Sequence, residues 1–136
     1  MTFAAVKVTR LAAALSRAAS RGVKIRLVLE FAEASEGQLS FDALNAFPTD
    51  LVEASEVYYW PVEKRERNQA GKPGKLHAKL ALVDGVVLVS SANLTDDAFT
   101  RNLELGAMLT DAEVVRWVKD HFDGLVHGSM LKQVRG

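Results

Sequence analysis

Residues 75–95 read KLHAKLALVDGVVLVSSANLT, and the way this stretch folds decides how the rest of the chain is read. Two apolar runs flank Asp84-Gly85, a dipeptide that favours the two-residue turn of a β-hairpin. The spacing therefore predicts strands over Leu76–Val83 and Val86–Ser91. Side chains alternate along a strand, so Leu76, Ala78, Leu80 and Leu82 share one face and His77, Lys79, Ala81 and Val83 share the other. His77 and Lys79 thus project side by side from one face of a sheet. Ser90, Ser91 and Asn93 fall where the returning strand ends.

The flanking sequence supplies the layers around this hairpin. Residues 6–20 (VKVTRLAAALSRAAS) predict a helix, with Leu11, Ala14, Leu15 and Ala18 at three- and four-residue spacing and a stop at Arg21-Gly22. Residues 23–30 (VKIRLVLE) alternate like a half-buried strand, with Val28 the exception. Residues 32–50 are small and polar, with a weakly helical patch from Phe41 to Phe47. Val57–Trp60 (VYYW) predicts a core strand stopped by Pro61. Residues 62–75 (VEKRERNQAGKPGK) lack periodicity and predict a flexible charged loop. Leu103–Leu109 predicts another strand, placing Asn102, Glu104 and Gly106 on one face. Asp111 then caps a helix to about Leu125, with Val114, Val118, Phe122 and Leu125 as its buried stripe. Helices and strands in this order predict a single layered α/β domain over residues 1–136.

Composition narrows the function classes. Lys plus Arg and Asp plus Glu number 17 each, so no global charge advertises a polyanionic partner. The absence of Cys excludes disulfides, a thiol nucleophile and thiolate metal sites. No apolar run reaches the ~18 residues of a membrane span, and the first 20 residues lack an uninterrupted apolar segment, so a cytoplasmic protein is expected.

The polar groups on the hairpin carry the chemistry. An imidazole titrates near neutral pH and serves as nucleophile or general acid. A carboxylate on an adjacent strand, such as Glu104, fixes the tautomer and supports the cation formed on attack. A Lys ammonium and an Asn amide donate to phosphoryl oxygens as they gain charge. A lone His in a strand is usually structural; His77 in register with Lys79, Ser91, Asn93 and Glu104 reads as functional. His121, Trp117 and His127 are assigned to packing or surface, and Tyr58, Tyr59 and Trp60 to the core.

His77-Ala78-Lys79, Asp84, Ser91-Ala92-Asn93, then Asn102 and Glu104, resemble the HxK-D-GSxN signature of the phospholipase D superfamily. The resemblance covers most of the chain and implies an α/β/α fold with a mixed sheet. It departs from the pattern at Ser90, where glycine is usual, and in a hairpin one residue tighter between Asp84 and Ser90. It implies a metal-independent phosphodiesterase in which His77 forms a phosphohistidine. Lys79 and Asn93 would hold the phosphate with Ser91 nearby, Glu104 would orient His77, and Asp84 would play a supporting part. The family uses a second motif His to protonate the leaving group, and only one motif is present. The resemblance therefore implies a homodimer sharing one active site. Family members begin with a strand before the first helix, and MTFAAVK resembles only its tail. The sheet is therefore expected to lack its first strand, as in a truncated form or carboxy-terminal half of a longer protein.

Lys64, Arg65, Arg67, Lys72 and Lys75 outnumber Glu63 and Glu66 just before the motif strand. Alone, such a run is a solvated loop. Beside a phosphoryl-transfer motif it suits a polyanionic backbone, which favours nucleic acid over phospholipid and a nuclease over a lipase. The alternative is a non-catalytic nucleic-acid-binding or scaffold subunit that keeps the fold. A narrower resemblance, on overall pattern, is to the phospholipase-D-like component of DISARM-type anti-phage defence islands, which implies defence-system partner proteins.

Overall fold

The computed structural model describes residues 2–3, 9–30, 44, 47–93 and 101–134. In chain order these form β1 (Thr2–Phe3), α1 (Thr9–Ser20), β2 (Ile25–Leu29), α2 (Thr49–Glu53), β3 (Ser55–Tyr59), a 3-10 turn (Val62–Lys64), β4 (Leu80–Val83), β5 (Val86–Ser90), β6 (Gly106–Leu109), α3 (Ala112–His127) and β7 (Lys132–Gln133). The sheet runs β6-β5-β4-β1-β2-β3-β7. β1, β2 and β3 are parallel, and the remaining pairs are antiparallel.

Both faces of the sheet are covered at its centre. Leu27, Leu29 and Val57 form one core cluster with Leu44, Phe47 and Val52, beneath α2, on which α1 packs. Val28, Tyr58 and Leu131 form the opposite cluster with Phe122, Leu125 and Val126 of α3. Coverage on both sides explains Val28, which broke the alternation: a strand buried on both faces has no polar face to show. Tyr58 is buried, and Tyr59 and Trp60 are partly so, in line with a core strand.

Local chemistry sets the ends of the elements. α1 stops where Gly22 adopts φ +84°, with Val23 N–H bonded to the Ala18 carbonyl at 3.1 Å and Gly22 N–H to that of Ala19 at 2.9 Å. This paired closure needs a left-handed residue. Asp111 caps α3 by accepting the Glu113 and Val114 amides at 2.9 and 3.1 Å. The buried stripe of α3 starts at Val115 and Val118, whereas Val114 is exposed, so the expected stripe is corrected by one residue at its start.

Four further expectations change. Thr2–Phe3 occupies the position between β2 and β4, paired with Val28, Leu29 and Leu80, so the expected gap in the sheet is filled. The loop after Pro61 is ordered rather than flexible: Asn68 accepts the Ala70 and Lys72 amides at 3.0 Å each, and Arg67 bridges to Pro73. β4 begins at Leu80 rather than Leu76, because the Leu76 N–H is taken by the Glu30 carboxylate instead of a neighbouring strand. β6 begins at Gly106 rather than Leu103. β7 and α2 were not foreseen; β7 is two residues long and carries no periodic signal. Most of the Phe41–Phe47 patch lies outside the described residues.

Candidate active site

The β4–β5 hairpin delivers the motif. Asp84 and Gly85 both take positive φ, +45° and +82°, the type I′ geometry that suits the twist of paired strands. Leu80 then faces Val89, and Ala81 faces Leu88. The Ser90 N–H donates to the Lys79 carbonyl at 3.0 Å, carrying the pairing one residue past the strand. β6 joins on the other side with Ser90 opposite Gly106, and Ser91 N–H donates to the Leu105 carbonyl at 3.0 Å. The segment holding His77 and Lys79, the end of β5 with Ser91 and Asn93, and the start of β6 with Glu104 therefore meet at one end of the sheet.

Glu104 and Ser91 form the best-knit part of this site. The Ser91 hydroxyl donates to Glu104 Oε2 and accepts the Leu105 amide at 3.1 Å. Asn102 Nδ2 donates to Glu104 Oε1 at 3.4 Å. The Glu104 carboxylate is thus engaged by Ser91 and Asn102, and among the described residues no hydrogen bond joins it to the His77 ring. The reason lies in the strand order. β5 separates β4 from β6, setting their backbones roughly 10 Å apart, so Ser91 on the intervening strand is the nearer partner.

His77 is exposed, and its ring makes no hydrogen bond among the described residues. Lys79 folds back to donate from Nζ to the His77 carbonyl at 2.9 Å, keeping its ammonium beside the imidazole segment. Asn93 is half-buried at the end of the β5 extension. Asp84 sits exposed in the turn at the far end of β4, four residues beyond Leu80, where β4 pairs with β1, so its part in the site is to shape the hairpin.

The five loop cations do not behave alike. Arg65 is corrected outright: its side chain is 3% exposed and ion-paired to Glu30 at 2.7 Å, so it is not available to a phosphate backbone. Lys64 donates to the Ser129 carbonyl and Arg67 to that of Gly71, the latter at 2.7 Å, although both remain near the surface. Lys72 and Lys75 are exposed. Lys75 and His77 border a cleft of about 450 Å³ whose other walls include Trp60, His121, Phe122, Leu125 and Met130. His121 stacks on Trp117, with ring centroids 5.7 Å apart and planes at 16°. Sequence reasoning missed this aromatic wall because it comes from α3, far from the motif in the chain.

A larger hollow of about 710 Å³ opens at the other end of the sheet, by Lys24, Arg26, Glu56 and Asp123. Arg26 donates to Asp123 at 2.6 Å and Glu56 at 3.3 Å, and Lys119 donates to Asp123 at 2.6 Å. These cations hold the Asp123 carboxyl below its ordinary range, Lys119 most strongly. Arg26, Lys119, Glu56 and Asp123 pair among themselves there, and none belongs to the motif. Among the described residues no group of three or more His, Asp or Glu is gathered as a metal site.

The comparisons with known proteins agree with this architecture. A family model described as cardiolipin synthase, PLD-like domain, matches residues 1–126. The chain is 30% identical over 112 residues to the probable cardiolipin synthase YwiE of Bacillus subtilis, covering 81% of this chain and 20% of that protein. It therefore spans about a fifth of that relative's length. Among solved structures it resembles NucT from Helicobacter pylori, with a TM-score of 0.71, 20% identity, and 93% and 76% of the two chains covered. It also resembles the phospholipase D family member Nuc from Salmonella typhimurium, with a TM-score of 0.67, 19% identity, and 100% and 80% covered. With the motif residues gathered at one end of a mixed sheet and nearly the whole length under one family model, the chain belongs to the phospholipase D superfamily, in its cardiolipin synthase PLD-like domain family.

Proposed function

We propose that the chain is a metal-independent phosphodiesterase that works through a phosphohistidine and acts on nucleic acid. The observation that carries this reading is the meeting of His77, Lys79, Ser91, Asn93 and Glu104 at one end of the sheet, on β5 and beside β4 and β6. His77 attacks phosphorus, and the bond to the leaving oxygen breaks as the new N–P bond forms. Lys79 and Asn93 donate to the non-bridging oxygens, which carry most charge in the transition state. Ser91 and Glu104 set the local geometry of the β5 end. A second imidazole protonates the leaving oxygen and then activates the water that cleaves the N–P bond, returning His77.

That second imidazole comes from a second copy of the chain in this reading. Leu103 is 102% exposed and Leu105 82%, an apolar strip on either side of Glu104. Exposed apolar surface of this kind beside a site is a mark of an interface. Substrate choice rests on Lys75 at the cleft and on the exposed Lys72 and Arg67 of the preceding loop, cations suited to a phosphate backbone. Similarity to YwiE and the same apolar strip favour a second reading, a phospholipid diester as substrate.

The test is incubation in EDTA with single- and double-stranded DNA and RNA, and in parallel with anionic phospholipid vesicles. Nucleic-acid cleavage that disappears in His77→Ala is the expected result. Cleavage of lipid alone moves the assignment to the second reading, and binding without cleavage by the dimer leaves a non-catalytic subunit.

A further inference from the structure

Arg65 was expected at the surface, and its burial demands a reason. Its guanidinium donates from Nε to the Trp60 carbonyl at 3.0 Å, from Nη1 to the Gly74 carbonyl at 3.0 Å and from Nη1 to Glu30 Oε1 at 2.7 Å. It also lies over the Trp60 ring, 5.1 Å from the centroid. One cation thus ties the two ends of the 60–74 loop to each other and to the end of β2. The other oxygen of the same carboxylate, Glu30 Oε2, accepts the Leu76 amide at 3.0 Å. Leu76 immediately precedes His77.

Beyond this bond the His77 segment is held by the Leu76 side chain, packed against the Val28–Tyr58–Leu131 cluster, and by Lys79 Nζ on the His77 carbonyl. β4 begins only at Leu80, and residues 75–78 lie outside the sheet ladder. Among the described residues the Leu76 N–H is the one backbone amide from Lys75 to Ala78 with a partner. An ion pair buried this deeply is a poor source of stability, since desolvation offsets most of the attraction. What it does supply is direction: a forked cation and a two-oxygen anion fix a loop and a strand end in one geometry.

We propose that Glu30 and Arg65 are positioning residues for His77, holding the nucleophile's backbone through the Leu76 amide. The proposal rests on the reading of His77 as the nucleophile. Glu30→Gln keeps the volume but leaves one carbonyl oxygen for two donors, so the Leu76 tether and the Arg65 bond compete. Its kcat on a simple diester such as bis(p-nitrophenyl) phosphate falls about 10- to 100-fold, the range for a misplaced reacting group, while KM is unchanged. Arg65→Lys behaves alike, because a point charge cannot serve the three acceptors at once.

Two readouts need no turnover. In the wild type the Leu76 amide is protected from hydrogen exchange, and the His77 ring gives one set of NMR signals. In Glu30→Gln that protection is lost and the His77 signals broaden or double, with far-UV circular dichroism unchanged. An unprotected Leu76 amide in the wild type overturns the proposal even if neither variant folds. So does a folded Glu30→Gln with wild-type kcat and wild-type His77 signals. If the wild type hydrolyses no diester but Leu76 and His77 respond as described, the phosphodiesterase reading fails and the tether stands.

Discussion

His77 stands just short of β4, with the Lys79 ammonium folded against its carbonyl and, among the described residues, no carboxylate bonded to its ring. At this scale the account separates groups that act from groups that hold. His77→Ala should lower diester hydrolysis by about 100- to 10,000-fold, with binding retained, as steady-state kinetics and a filter-binding assay would measure. Ser91→Ala removes the hydroxyl that both donates to Glu104 and accepts the Leu105 amide. These groups are exposed to water, so the loss should be about 0.5–1.5 kcal/mol, read by urea denaturation. Charge pairs at the far end of the sheet set the acid limb of stability. The Asp123 carboxyl is held below its ordinary range by Lys119 and Arg26, so its contribution is present above the usual Asp range and is lost as pH falls through the lowered value. Both pairs are partly exposed, so solvent screening keeps the effect small. Asp123→Asn should therefore destabilise the protein at pH 7 and leave it as stable as the wild type near pH 2, by denaturant midpoints at the two pH values.

The elements show what was legible in the chain and what was not. Asp84-Gly85 announced its hairpin because a two-residue turn with two positive φ values leaves few choices of residue. The helix from Asp111 was equally plain, since its cap and its apolar stripe are local signals. The strands leading into the site were over-read at Leu76–Lys79 and Leu103–Leu105, because alternation marks extended chain without saying where a ladder stops. Glu30 ends the Leu76 pairing from 46 residues away, a distance no local pattern encodes. The buried fate of Arg65 was hidden for the same reason. It sits in a charged run and differs from its neighbours only in what lies across the fold. Gly106 gives a test at this scale. A Cβ there would come within 2.9 Å of the Val89 carbonyl, so Gly106→Ala must push β6 from β5. Destabilisation of about 1–3 kcal/mol is expected from such overpacking. Diester hydrolysis should fall with it, because Glu104 enters the site along the same strand.

For the whole molecule the question is whether one copy of the site suffices. The chain carries a single motif and an apolar strip, Leu103 and Leu105, that no described residue covers. If two copies close over one phosphate, size-exclusion chromatography with light scattering returns a dimer. Leu105→Asp should then yield a folded monomer without activity. The central claim is narrower still, that His77 carries the phosphoryl group without a metal. The most direct measurement is to quench a reaction of radiolabelled diester, run in EDTA, and map the labelled peptide. The account predicts an acid-labile, alkali-stable label on His77 that is absent from His77→Ala. Turnover that EDTA abolishes, or turnover that leaves no label on His77 at any quench time, would contradict it.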